Sequence, residues 1–273
     1  QVIDSVQDRV DGEQEYFSYI DDHTFPIQKR SFLTAPLPLM LLGHTSPLSC
    51  VSGLLCFYDK RQDLEVETMM AVFWNPAIRK SVGILVPSGL HLPEGLTFIG
   101  FGGCPNPSDP KLVKINTIGF RTVDWEVCVG GFVYWLAYDN VKLGDGFRVV
   151  HTYDLRVTKV KDSLGLLENY DDGEIPFCGV WILKDGVTKS FAKMFSVKLQ
   201  SEWIGLIAIL DFTKDGKAIR LKYVDDDYMP SCVLSAYEEN GKGVGIPGRV
   251  TLFAAKSYME TMLLLDQSNS FVY

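Results

Sequence analysis

The sequence is poor in the residues that carry out chemistry. Its four histidines, His23, His44, His91 and His151, are isolated, and no two are placed as a local metal pair. No Gly-x-Ser-x-Gly run supplies a nucleophile elbow. Gly100-Phe101-Gly102-Gly103 is not followed by Lys-Ser/Thr and a helix. It therefore reads as a strand approached closely by another part of the chain, not as a phosphate loop. Asp225-Asp226-Asp227 lacks the alternating oxygen spacing and closing Glu of an EF-hand loop. That run and Asp171-Asp172-Gly173-Glu174 read as acidic turns facing water. These absences predict a protein that is not an enzyme and needs no cofactor.

Positive charge is also in deficit. Lys and Arg number 26 against 34 Asp and Glu, a net charge of −8, and no basic run interrupts the pattern. The electrostatic footprint of a nucleic-acid binder is missing. An acidic surface suits a basic protein partner better. Six cysteines in 273 residues, none in a Cys-x-x-Cys pair, are too sparse for a disulfide framework. Cys56 and Cys128 sit inside apolar runs, so buried free thiols in a reducing compartment, cytoplasmic or nuclear, are expected. The one Asn-x-Ser candidate, Asn106-Pro107-Ser108, is disqualified by its proline. No charged segment followed by an apolar run opens the chain, so no signal peptide is expected. Residues 32–58 carry no Asp, Glu, Lys or Arg, but Pro36, Pro38 and Pro47 interrupt them. Two buried strands separated by a turn are predicted there, not a membrane span.

The strand formers are plentiful. Phe, Tyr and Trp make up 12% of the residues. Short apolar or aromatic runs occur at 54–58, 70–74, 132–136, 149–153, 204–210 and 219–224, bounded by Gly, Pro, Asn or Asp. Turns are predicted at Asp59-Lys60, Asn75-Pro76, Pro105-Asn106-Pro107, Asp145-Gly146, Asp185-Gly186 and Asp215-Gly216. No stretch of a dozen residues holds a helical stripe free of Gly or Pro. The prediction is an all-β fold of short antiparallel meanders, with a sandwich, barrel or propeller as the architectures to choose among.

An internal echo favours the propeller. Residues 50–57 (CVSGLLCF) resemble 128–135 (CVGGFVYW), and Val72-Phe73-Trp74-Asn75-Pro76 with Arg79-Lys80 resembles His151-Thr152-Tyr153-Asp154-Leu155 with Thr158-Lys159. In each second unit an Asn or Asp is placed to cap a turn while the preceding aromatic packs between sheets. The interval is about two propeller blades of roughly 40 residues each. Trp74 and Trp135, both in the echo, are predicted to be buried. A β-sandwich is the alternative. No linker divides the chain, but residues 1–15 are polar and expected to be mobile.

Several stretches, taken in order, resemble the plant F-box-associated domain, type 1. They are Cys50–Asp59 (CVSGLLCFYD), Phe73–Lys80 (FWNPAIRK, similar to the family's WNPxxRK), Gly100–Gly102 leading to Asp109–Ile115 (DPKLVKI), Val129–Leu136 (VGGFVYWL), Val180–Lys184 (VWILK) with Ser190–Phe195 (SFAKMF), and Ser257–Leu265 (SYMETMLLL). Two departures stand out: Val127 leads at once into the Val-Gly-Gly run, and no F-box precedes Tyr16. The resemblance implies a kelch-like β domain over residues 16–273 that captures a target protein for an SCF-type ubiquitin ligase. A Skp-type adaptor and a cullin would be reached only through an F-box, so this chain by itself is expected not to hold the adaptor.

The binding surface is expected on loops, because strand side chains are committed to the core. The candidates are Pro105, Asn106 and Asp109, in a loop stiffened by prolines, and Asp225, Asp226, Asp227 and Tyr228, an acidic turn suited to a basic target protein. Two other readings stand beside this one. A hydrolase-like propeller enzyme would need three or more His, Asp or Glu converging in one pocket. A carbohydrate-binding domain would use exposed aromatics, with Trp125, Trp135, Trp181 and Trp203 as candidates, although their apolar flanks predict core positions. No partner among nucleic acids or membranes is expected.

Overall fold

A computed structural model describes residues 2–8, 14–19, 31–43, 47–63, 68–87, 96–103, 110–117, 120–139, 155–171, 176–184, 189–198, 209–224, 231–236, 244–246 and 250–258. Strands β1 (Val2–Asp8), β2 (Gln14–Tyr19) and β3 (Ser31–Leu33) come first, then the helical turn α1 (Leu37–Met40). They are followed by β4 (Ser49–Val51), β5 (Leu54–Lys60), β6 (Met69–Asn75) and β7 (Lys80–Val86), and by the hairpins β8 (Leu96–Gly103)–β9 (Pro110–Thr117) and β10 (Phe120–Val129)–β11 (Phe132–Asp139). Next are β12 (Leu155–Val160), β13 (Ser163–Asp171), β14 (Pro176–Lys184) and β15 (Ser190–Lys198). The described elements end with β16 (Ile209–Phe212), β17 (Ala218–Val224), β18 (Ser231–Ala236), β19 (Val244–Ile246) and β20 (Val250–Ser257).

The fold is all-β, in antiparallel sheets. Three are sequential meanders, β4 to β7, β12 to β15 and β16 to β19; two are the hairpins β8–β9 and β10–β11. The sixth has the order β20-β1-β2-β3, which joins the two ends of the described chain. Residues 2–8 are therefore a strand paired on both sides, with β2 and with β20, and not the mobile segment that their polarity suggests. Backbone pairing on two edges outweighs side-chain polarity here.

The apolar runs of β5 and β6 are explained by burial on both faces. One face of the β4–β7 sheet meets the first sheet: Leu55, Phe57, Met70, Val72 and Trp74 pack with Tyr16 and Tyr258. The other face, with Leu54, Cys56, Ala71 and Phe73, receives Phe101 of β8. A strand buried on both sides loses its polar alternation. The remaining sheets pack in chain order. Val129 of β10 meets Val157 and Leu164 of the next sheet. Val160, Leu167, Cys178, Val180 and Val197 meet Ile209, Phe212 and Ala218. β16 then lies beside β20.

The glycine-rich strand has the predicted close approach. A Cβ on Gly100 would lie 2.6 Å from the Trp135 ring, and one on Gly102 would lie 2.9 Å from Val133. The echo also has a structural counterpart. Val51↔Leu54 and Val129↔Phe132 close two-residue hairpins whose central residues all have positive φ: Ser52 at 50° and Gly53 at 74°, Gly130 at 60° and Gly131 at 83°. This is the turn that matches strand twist, and it is the reason glycine recurs there. In the second half of the echo, 151–154 lie outside the described residues. Thr158 and Lys159 belong to β12, and the reversal comes at Lys161-Asp162.

Other expectations are corrected. Residues 32–58 form β3, α1, β4 and most of β5, because Pro36 and a proline in the first turn fit a helical start. Asp59 and Lys60 continue β5, paired with Met70 and Met69, so the strand runs past the predicted turn. Trp135 is half-buried, with its indole N–H enclosed and without an acceptor among the described residues. Trp181 is also half-buried. Asp215-Gly216 is a turn as predicted, with Gly216 at φ 84°. Cys56 and Cys178 are buried free thiols, and Cys128 is half-buried. Among the described residues no helix is long and apolar enough to cross a membrane. The runs at 149–153 and 204–208 and the predicted turns at 105–107, 145–146 and 185–186 lie outside the described residues.

Asn75 carries out the capping role its position suggests. It is fully buried, and its Oδ1 accepts the Ala77 N–H at 3.1 Å. The Tyr258 hydroxyl accepts the same N–H at 3.1 Å and donates to Asn75 Oδ1 at 3.3 Å. The turn after β6 is thus fastened to the segment after β20. Tyr258→Phe is expected to lose about 1–2 kcal/mol of stability. Combined with Asn75→Ala, the two losses should fall short of their sum in a urea-denaturation cycle. Strict additivity would show that the hydroxyl and the amide act separately.

Candidate functional site

Strands β13, β14 and β15 present one face to the β16–β19 sheet; of the other face, the end with Leu164, Leu166 and Leu183 packs against β10 and β11, and the end with Tyr170, Lys193 and Lys198 faces outward. Pairing fixes which residues share the outward face: Tyr170 lies opposite Phe177, and Phe177 opposite Lys198. Glu168 lies opposite Gly179, and Gly179 opposite Ser196. Trp181 lies opposite Lys193, and Leu183 opposite Phe191. The inward face carries Leu167, Cys178, Val180 and Val197, all in the core. Each strand is thus amphipathic, but the outward half is aromatic and cationic instead of merely polar.

The geometry of this face is specific. The rings of Tyr170 and Phe177 are stacked, 5.7 Å between centroids and 16° apart. The Lys193 ammonium stands 4.9 Å from the Tyr170 ring centre and 5.6 Å from that of Trp181, and it donates to the Tyr170 hydroxyl at 3.0 Å. Lys198 stands 5.9 Å from the Phe177 ring centre. The Tyr170 oxygen is also 3.1 Å from Ser196 Oγ. The hydrogen bonds from Lys193 and Ser196 hold the Tyr170 hydroxyl below the usual tyrosine range. Trp181 Nε1 donates to Glu168 at 3.0 Å. Gly179 belongs to the same arrangement, because a Cβ there would lie 3.0 Å from the Trp181 Nε1. Phe191 and Met194 are exposed at the rim.

A bulge assembles the site. Lys193 and Lys198 are five residues apart, which in a regular strand puts them on opposite faces. The register slips between Val180 and Trp181, so that Val180 faces Phe195 while Trp181 faces Lys193. Met194 is the extra residue, and it turns Lys193 onto the same face as Lys198. Sequence periodicity therefore hides this pair, and the apolar flanks of Trp181 point to the core. The available signal was the lysine enrichment of 176–198, with Lys184, Lys189, Lys193 and Lys198 against Asp185, in an acidic chain.

None of the loop candidates can be placed beside this face. Pro105, Asn106 and Asp109 lie outside the described residues, between the paired Gly103 and Pro110. Asp225, Asp226, Asp227 and Tyr228 lie outside them too, between the paired Val224 and Ser231. The four histidines and Trp203 are likewise outside, as is the side chain of Trp125. Among the described residues no group of three His, Cys, Asp or Glu is close enough to hold a metal. Comparison with family models, curated proteins and solved structures finds no match.

Proposed function

We propose that the chain is a protein-binding module, the target-capturing domain of an SCF-type ubiquitin ligase receptor similar to the plant F-box-associated domains, and that its sheets are the blades of a propeller-like ring. The observation that carries the binding reading is the outward aromatic–lysine face of β13–β15, mounted on a rigid sheet. Tyrosine, tryptophan and cationic side chains of this kind are the groups that protein interfaces favour. The ring reading is supported by the packing of successive sheets in chain order and by the pairing of β1 with β20. Two stretches of the family resemblance, Phe73–Lys80 and the start of Ser257–Leu265, also meet through Asn75 and Tyr258.

On this reading the module works in the cytoplasm or nucleus and performs no covalent step. It holds a target near the ubiquitin-charged conjugating enzyme, raising the effective concentration of acceptor lysines there. Joined behind an F-box and expressed in plant cells with the proteasome blocked, the chain should co-purify ubiquitin-conjugated proteins that an F-box alone does not. Identical recovery with and without this chain would sink the ligase reading.

A further inference from the structure

We propose that the outward face of β13–β15 docks an acidic extended segment of a partner protein, whose carboxylates pair with Lys193 and Lys198 while an apolar side chain beside them rests on Phe177 and Trp181. The proposal rests on and deepens the receptor reading above by naming the chemistry of the target segment, for which the acidic sequence alone suggests a basic one.

The argument starts from charge. Among the described residues no carboxylate forms an ion pair with Lys193 or Lys198; both ammonium groups are held over aromatic rings instead. A cation over a ring is attracted by the ring's negative face, but the ring leaves the opposite side of the ammonium open. Among the described residues the one acid on the face, Glu168, is occupied by the Trp181 N–H. Two cations thus stand in fixed positions over Tyr170, Trp181 and Phe177, ordered before a partner arrives. Ordering in advance lowers the entropy that binding must offset.

Shape excludes two other modes. Among the described residues β15 is the edge of its sheet, with no strand paired on its other side. Strand addition there is opposed by the Met194 bulge and by Lys189, Lys193 and Lys198, the devices that protect natural edges. The contact is therefore through side chains of the face. A nucleic acid would also be drawn to lysines and rings. The net charge of −8 repels a continuous phosphate backbone, whereas a short acidic segment meets only the local lysines.

The test uses the chain as it stands, with a fluorescent decapeptide of alternating Glu and Leu as the probe. Its Gln-for-Glu counterpart and a labelled oligouridylate serve as comparisons. The acidic peptide should bind, and the Lys193→Gln/Lys198→Gln variant should weaken it about tenfold or more, as for close charge pairs at interfaces. Lys159→Gln, on the exposed part of β12, should leave binding unchanged. Because both lysines are exposed, the double variant should keep its thermal midpoint, so that loss of binding reports the face and not the fold. Equal binding of the Gln peptide, indifference to the double variant, or tighter binding of the oligouridylate would each overturn the proposal. Peptide binding together with failure of the F-box fusion experiment would remove the ligase reading and leave the docking face standing.

Discussion

Replacing Trp74 by alanine should lower the stability of this protein by about 3–5 kcal/mol, the cost of truncating a large aromatic in a packed core. Trp74 is 3% exposed, at the end of β6. Its ring meets Tyr16 edge-on at 5.3 Å and Phe57 at 6.3 Å, while Tyr16 and Phe57 meet edge-on at 6.0 Å. These three rings join β2 to β5 and β6, which makes them the seam between the first sheet and the second. Truncation empties the centre of that seam and removes two aromatic pairs as well as the buried area. Asn75 follows directly, so that a slackened β6 also loosens the turn tied to Tyr258. In urea denaturation the midpoint should fall with little change in slope. Trp135 provides the contrast. Its half-buried ring rests on Gly100 and its indole N–H has no acceptor among the described residues, so Trp135→Phe removes an unsatisfied polar group along with some packing. Trp74→Phe should therefore cost clearly more than Trp135→Phe. Equal losses, or an unchanged midpoint for Trp74→Ala, would refute the seam.

The two tryptophans show what periodicity conveys and what it omits. Continuous apolar runs such as Met70–Trp74 signal a strand covered on both faces, and β6 is one. Hairpin turns with two positive φ values leave a glycine mark, and Gly53, Gly130 and Gly131 carry it. Strand existence and turn chemistry are local properties, so local sequence carries them. Long-range pairing is not local. Nothing in the polar residues of 2–8 states that β20 will lie beside them, and the pairing depends on where the rest of the fold leaves the C-terminal strand. The lysine–aromatic face is a similar case. A single-residue bulge changes which face Lys193 occupies, and bulges shift the pattern that an alternation argument reads. Trp181 reads as core in the sequence for the related reason that an apolar neighbour, Val180 or Ile182, points to the other side of the same strand.

Arg156→Met should cost about 1–3 kcal/mol, the range for leaving buried acceptors without their hydrogen-bond donor. Arg156 lies in β12, yet its guanidinium donates to the carbonyl of Ile209, and at 3.5 Å to that of Leu210, both in β16. Among the described residues β16 is the edge of its sheet, and its register slips between Ile209 and Asp211, which leaves Leu210 outside the ladder. Carbonyls at such an edge need a donor if water is kept away. Water is kept from the first of them, because Ile209 is 2% exposed beside Val160 and Phe212, while Leu210 is half-buried. The same burial pushes the Arg156 guanidinium down to about 10, against the opposing pull of Asp211, so the group stays charged at neutral pH. Methionine retains much of the side-chain volume, so the loss would come from the carbonyls left without a donor. Arg156→Lys should recover only part of the stability, since both bonds come from the terminal Nη2, one bond beyond the reach of a lysine ammonium. If Arg156→Met unfolds at the wild-type urea midpoint, the guanidinium does not fasten β12 to β16, and apolar packing alone joins these two sheets.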